Sequence, residues 1–443
     1  MPSTELFNIV IVGGGIAGLA AAIALRGPNR RITILEQSRL STEIGATISL
    51  QPNATRIIKE TWGLRNLLED ARGTVDRGFR VYNIEGKKVN EIQLQTRTEY
   101  GGDRIVWHRQ DLHTYLKDAA TSKERDGRPA ELRTSSRVIS CNCTTGSITL
   151  ESGEVLEADL IIGADGIHSK LRAFVLEKEV KAKPTGLSAY RLMMPSKVLE
   201  EHAPSFAAKI KLQDPYTSMV MAHDCRLVMG PARDGEVYSV VGLVPDDQMN
   251  EDPDSAQSWV TKGDTDKMME TFKDFPGWAK EMLQQAESIG LWQLRDIDPL
   301  DTWVRGRVIL VGDAAHAMLP TQGQGASQAI EDAEALGAFF DDFKQDSTEK
   351  SVSRTLCRIF KARFDRASLI QRYSREAAKP ATEKGSSEIK MRPDEFMDYN
   401  CTYRGARQWE ETQLHDQVAA LSLKGVKSTL TPEDPIQRSE VSV

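Results

Sequence analysis

The chain of 443 residues is short of what several functions need. It has only 5 cysteines, too few for a disulfide framework at this length, and the odd number leaves at least one thiol free. Cys141 and Cys143 form a C-x-C, but no second pair and no nearby histidine completes a metal site. No metal is therefore expected, and reduced thiols point to a cytoplasmic location. Basic charge is lacking too: 57 Lys and Arg face 64 Asp and Glu, a net charge of −7. That leaves no field for nucleic acid or an anionic membrane. There is no internal repeat and no low-complexity tract. At 40% hydrophobic and 27% charged residues the composition is globular, with length for one large domain or several ordinary ones.

A long uninterrupted apolar run is also missing. The nearest candidate, Phe7–Leu25, reads "FNIVIVGGGIAGLAAAIAL". A membrane helix needs about 20 apolar residues, and three consecutive glycines weaken a helix just here. A secretion signal needs a positive start, yet the only charge before Phe7 is Glu5. Split in two, the segment makes sense as a strand, Asn8–Val12, and a buried helix, Ile16–Leu25. Between them lies Gly13-x-Gly15-x-x-Gly18, with Ala17 in the same turn. Gly13 permits a tight turn, Gly15 lets backbone approach a pyrophosphate, and Gly18 lets helix pack closely on strand. Phosphates would sit at the helix N-terminus, among free N–H groups and the positive dipole end.

A second apolar strand, "RITIL" (31–35), ends at Glu36, eighteen residues after Gly18. A carboxylate there accepts hydrogen bonds from both hydroxyls of an adenosine ribose and repels a 2′-phosphate. The tightly held dinucleotide is thus expected to be FAD or NAD, not NADP. No second glycine fingerprint follows, so one dinucleotide fold is expected. Strands joined at Glu85-Gly86, a strand entering a helix over 103–120, and a hairpin around Ser152-Gly153 come next. Residues 187 to 245 are mostly strand-like, an acidic loop spans 245–257, and the chain beyond Phe340 is helical with a polar break near 379–394. The last twenty or so residues have the composition of a disordered tail.

The stretch Arg307–Ala333, "RVILVGDAAHAMLPTQGQGASQAIEDA", ends a buried strand at Gly312-Asp313. Asp313 then stands at the carboxyl edge of the sheet, suited to the hydroxyls of a ribityl chain. Pro320 and Gly323-Gln324-Gly325 precede a helix beginning near Ala326. Backbone N–H groups at a helix start stabilise the charge of a reduced flavin by up to about 2 kcal/mol.

With "GGGIAGLA" and Glu36, "GADGIHSKLR" (163–172) and "GDAAHAMLPTQGQGASQAIEDA" (312–333), the sequence closely resembles the group A flavoprotein monooxygenases. These are the salicylate-hydroxylase-like and p-hydroxybenzoate-hydroxylase-like enzymes, and the resemblance covers roughly residues 7–378. It implies an α/β fold: a Rossmann-like FAD-binding domain (1–75, 98–180 and 286–345), an inserted, mostly β-sheet substrate domain (76–97 and 181–285), and a C-terminal helical region (346–443). It further implies that Asp165 links the FAD pyrophosphate region with the nicotinamide site, and that Arg109, in "HRQDL", reaches the flavin. Arg191 matches a family strand where an arginine faces the flavin and holds a phenolate or carboxylate; pairing with an acid at the domain interface is the alternative. Tyr238 would line the same pocket, or belong to the core, and Pro320 would border it. His316 is either a catalytic base or, as favoured, a structural histidine.

The implied reaction uses FAD, NADPH or NADH, and O2. A flavin C4a-hydroperoxide hydroxylates or epoxidises an electron-rich aromatic or heteroaromatic small molecule, in a monomer or homodimer. Many relatives have Tyr-Pro where this chain has Gly230-Pro231, and Asn where it has Ser239, which leaves room for a larger substrate and fits secondary metabolism. Alternatives on the same scaffold are a halogenase, whose W-x-W-x-I-P stretch is absent, an isoprenoid reductase, or a non-catalytic FAD-binding protein.

Overall fold

The computed structural model describes residues 6–40, 46–248, 261–341, 343, 348–379 and 391–413. Most of the expected acidic loop, polar break and tail lies outside them.

Short β-branched runs build the first sheet. Phe7–Val12, Leu160–Gly163 and Val308–Leu310 are buried along almost their whole length, as strands covered on both faces must be. They lie side by side and parallel, with Arg30–Leu35 and Glu131–Arg133 continuing the sheet on one flank and Val304–Arg305 closing the other. The register brings Val12 level with Leu35 and Gly163, and Gly163 level with Leu310. The chain therefore leaves these strands at one common edge. The helices Ile16–Ala24 and Gly325–Asp341 pack together so closely that a Cβ on Gly337 would stand 2.9 Å from the Ala24 carbonyl oxygen.

An eight-stranded sheet forms the second body. Its order is Thr261–Lys262, Ile289–Asp296, Lys183–Pro195, Val237–Pro245, Arg226–Ala232, Thr217–Met221, Gly78–Tyr82 and Lys88–Gln93. Residues alternate between its two faces. Tyr190, Leu192, Leu227, Met229, Tyr238 and Val240 enter a core with Phe206, Phe272 and Met282. Arg191, Val228, Val241 and Trp292, on the opposite parity, are only half-buried.

The structure differs from the sequence reading in two places. Ile289–Asp296, assigned by resemblance to the FAD-binding domain, pairs antiparallel with Lys183–Pro195 in the large sheet, because Ile289 and Leu291 complete its core. Within the strand-like region two helices, Ser196–His202 and Pro204–Ile210, cover that core through Leu199 and Phe206. Two further helices, Glu349–Ala378 and Pro393–Cys401, pack beyond the first sheet. Among the described residues no helix is long and apolar enough to cross a membrane, and no cluster of potential metal ligands occurs.

Candidate active site

Three strand ends meet at the common edge. The Gly13 amide donates to the Leu35 carbonyl, Ala164 to Val12, and Val311 to Gly163. The turns that follow are pressed together. A Cβ on Gly13 would lie 2.2 Å from the Ala164 oxygen, one on Gly18 1.9 Å from the Gly13 oxygen, and one on Gly312 2.9 Å from the Ala17 methyl. Nothing stands within 4 Å of a Cβ on Gly15 or Gly166, so the space in front of these two turns is open. That is the shape needed for a phosphate to approach backbone. The first glycine turn and the Asp313 turn, about 300 residues apart in sequence, therefore lie side by side, with Ala17 against Gly312.

Carboxylates are placed around this edge. Glu36 accepts from the Gly14 and Ser38 amides at 2.8 and 2.7 Å, which fixes its carboxylate and leaves each oxygen a further acceptor site. Asp165 turns inward to accept from the Lys170 and Leu171 amides, and its Oδ1 is buried without a partner. Burial raises its carboxyl above the usual range, against the hydrogen bonds from Ser169, Leu171 and Lys170. Asp313 is exposed to the cleft, yet enclosing protein also raises its carboxyl, opposed by the charges of His316, Arg109 and Arg172. The exposure decides its state: water in an open cleft reaches the group, so it serves as an ionised acceptor.

The far wall is the half-buried face of the large sheet. Leu319 packs with Ala189, Leu243 and Leu294, with Val241 and Ala378 beside them, and Thr47 and Ser239 share a hydrogen bond of 2.9 Å across the gap. Pro320, next to Leu319, is exposed. Gly323 adopts φ +61°, and a Cβ there would meet Ser49 Oγ at 2.8 Å. Gln324 is buried, and the helix Gly325–Asp341 begins directly after it, presenting first-turn amides without intrahelical acceptors, that of Ala326 among them.

Arg191 emerges from this face and lays its guanidinium over the Trp292 ring, 4.7 Å from the centroid. Gly290 makes the stack possible, since a Cβ there would collide with that ring at 2.1 Å. The Arg191 Nε is buried without a partner. Burial first, and then the charge of Arg109, lower its pKa. Among the described residues no carboxylate figures among the charges acting on Arg191.

Tyr238 is corrected. It lies one residue from Ser239 and so points the other way, fully buried edge-on to Phe206 in the helix-covered core. Burial raises its phenol pKa far above the usual value. His316 is buried, with Nε2 2.6 Å from Asp332 Oδ2, so its partner is a carboxylate and not the backbone. Two other residues escaped the sequence reading. Arg172, seen only as part of a motif, reaches the carbonyls of Ala314, Asp313 and Ile167 at 2.8, 2.9 and 3.0 Å, tying the Asp165 turn to the Asp313 turn. His113 bonds the Gly14 carbonyl at 2.7 Å. A separate groove of about 740 Å³, lined by Asp70, Arg72, Asp111 and Arg233 among others, holds none of the expected residues.

A parallel sheet whose strand ends converge on glycine turns is a dinucleotide-binding scaffold. Comparison with known proteins agrees: residues 7–348 match the family model described as FAD binding domain. The chain is 32% identical over 381 residues to hispidin-3-hydroxylase of Neonothopanus nambi, covering 83% of this chain and 88% of that protein. It is 30% identical over 385 residues to the FAD-dependent monooxygenase cfoG of Aspergillus candidus, covering 84% and 85%. The structure of a salicylate hydroxylase substrate complex superposes with a TM-score of 0.75 at 26% identity, covering 92% of this chain and 98% of that one. The chain belongs to the FAD-dependent monooxygenases of the FAD binding domain family.

Proposed function

We propose that this chain uses NAD(P)H and O2 to hydroxylate or epoxidise an electron-rich aromatic or heteroaromatic small molecule with an acidic oxygen, held against Arg191. The relatives support the reaction class: one is named for hydroxylating hispidin, another solved structure for salicylate. The observation that carries the substrate reading is Arg191, half-buried and stacked on Trp292 with its Nε buried and unpartnered. The unpartnered Nε of Arg191 attracts an anion, and a flat one matches the guanidinium plane.

FAD fits the residues present: the space before Gly15 and Gly166 admits a pyrophosphate, and Asp313 offers an open acceptor to a polyol. In our reading Gly13, Gly15, Ala17, Gly18 and Glu36 hold the adenosine diphosphate end. Arg109, Asp165 and Asp313 hold the middle, and Gly323, Gln324, Gly325 and Ala326 hold the ring. When bound, the flavin accepts hydride from the nicotinamide and activates O2. The protein's own part is to orient the substrate, exclude water and stabilise negative charge with first-turn amides.

Gly230 and Ser239 are cross-strand partners on the cleft-facing side, and a Cβ on Gly230 meets nothing closer than 3.5 Å. The small residue Gly230 leaves room there beside Ser239, which is tied to Thr47, and supports a substrate larger than a single ring and a place in secondary metabolism. Action in the cytoplasm as a monomer or homodimer fits the cysteines, all of which are free.

The test is a screen of phenolic compounds for substrate-stimulated NAD(P)H oxidation under air, with product mass showing one added oxygen. Arg191→Ala is expected to keep FAD while slowing that oxidation roughly 10- to 100-fold, the worth of one charge-assisted hydrogen bond. Wild-type rates would make Arg191 structural.

A further inference from the structure

Behind the two turns that face the ring end of the cleft lies a cluster of buried charge that the reaction itself does not use. Asp332 Oδ2 accepts from the Gly312 amide at 2.9 Å and from His316 Nε2 at 2.6 Å, and its Oδ1 accepts from Arg363 Nε at 3.0 Å. The carboxylate holds the Nε2 proton of the imidazole, and Nδ1 is buried beside Trp303 without a partner. Glu331, its neighbour, accepts from Asn53 at 2.6 Å, from Arg366 Nε and Nη2 at 2.8 Å each, and from Arg363. Asn53 and Gln328 both point Nδ2 or Nε2 toward Gln324 Oε1, at 3.4 and 3.3 Å. Arg363 closes the circuit by donating to Gln328 Oε1 at 2.7 Å. Glu331, Arg363 and Arg366 are fully buried, and Asp332 and His316 nearly so.

We propose that Glu331 and Asp332, clamped by Arg363 and Arg366 of the Glu349–Ala378 helix, are positioning residues for the flavin: Asp332 sets the Gly312–Asp313 turn and Glu331 the Gln324 turn. The proposal rests on the flavin reading of the cleft and is independent of the substrate.

Stability alone is a poor reason for this cluster. Desolvating two carboxylates and two guanidiniums costs several kcal/mol per ion, and apolar side chains of similar volume would serve as well or better. What apolar residues cannot do is hold a backbone amide and an amide side chain in fixed orientation. Gly312 shows why the hold matters. At φ +59° and ψ −142° it is in a conformation open to glycine alone, so the chain gains no rotamer or steric guidance there, and Asp332 supplies it from outside. The clamp also joins the C-terminal helix to both turns at once.

Glu334, one turn further along the same helix, provides the contrast. It is equally a buried carboxylate, but it accepts from Tyr403 at 3.2 Å and the Ala406 amide at 2.9 Å, and reaches neither flavin turn. The experiment measures, for Asp332→Asn, Glu331→Gln and Glu334→Gln, the FAD dissociation constant, the reduction potential of the bound flavin, and urea unfolding of the apoprotein. For the first two, FAD affinity is expected to fall roughly tenfold or more, as for loss of one charge-assisted hydrogen bond, and the potential to move. Glu334→Gln is expected to unfold earlier in urea with wild-type affinity and potential. Unchanged affinity and potential in Asp332→Asn and Glu331→Gln would overturn the proposal. An equal change in Glu334→Gln would also overturn it, as would failure of both test variants to fold while Glu334→Gln folds.

Discussion

The two turns proposed to hold the cofactor are built from opposite materials. Around Gly13–Gly18 the hold is steric: glycines lie against carbonyl oxygens at separations no side chain tolerates, and the helix behind them, Ile16–Ala24, is apolar and buried. Around Gly312 and Gln324 the hold is electrostatic, with Asp332, Glu331, Arg363 and Arg366 buried behind the backbone. A pyrophosphate asks for close approach to backbone amides and little else. A ring system whose charge changes during turnover asks for dipoles held at fixed angles. The comparison teaches that the chemistry at each end selects the means of rigidity.

The sharpest way to break the comparison is at the steric end. Gly18→Ala places a methyl 1.9 Å from the Gly13 oxygen, which cannot be relieved without moving the turn. It is expected to abolish FAD binding, read as loss of flavin absorbance in the purified protein. At the electrostatic end, Arg366→Met leaves Glu331 short of two donors. The expected loss is about 3–5 kcal/mol of unfolding free energy, the penalty of an orphaned buried charge, checked by urea denaturation. Acid gives the smallest effect. Burial pushes the Asp332 carboxyl up, but the charges of His316 and Arg363 outweigh it and hold the group at about 2, below its ordinary 3.8. A depressed native pKa stabilises the fold above the unfolded value and loses that contribution as pH falls toward 2. The expected loss is about 2 kcal/mol, measured as FAD retention and unfolding between pH 5 and pH 2; retention falling already between pH 8 and 6 would contradict it.

The steric end was legible in sequence because glycine spacing is local: Gly13, Gly15 and Gly18 fall within six residues, and Glu36 follows one strand later. Asp313 and Gln324 were legible for the same reason. What escaped depends on contacts between distant segments. Arg172 reads as an ordinary helix residue until the fold brings Asp313 and Ala314 beneath it. Arg363 and Arg366 lie on a polar-looking helix, and only its packing between Gly325–Asp341 and the segment carrying Tyr399, Asn400 and Tyr403 buries them. Tyr238 could be read for the pocket or for the core, because no local signal fixes strand parity when both faces of a sheet are largely buried, and the structure places it in the core. Ile289–Asp296 fell inside the bounds that the resemblance gave the FAD-binding domain, and its pairing with Lys183–Pro195 is a contact between distant segments.

The most direct test of the account is FAD affinity in Asp313→Ala. If two turns distant in sequence hold one flavin, removing the open carboxylate of the second should weaken FAD binding roughly tenfold or more, the worth of a hydrogen bond to a charged group. Unfolding of the apoprotein should stay unchanged. A variant that binds FAD as tightly as the parent would mean that the Asp313 turn does not touch the cofactor.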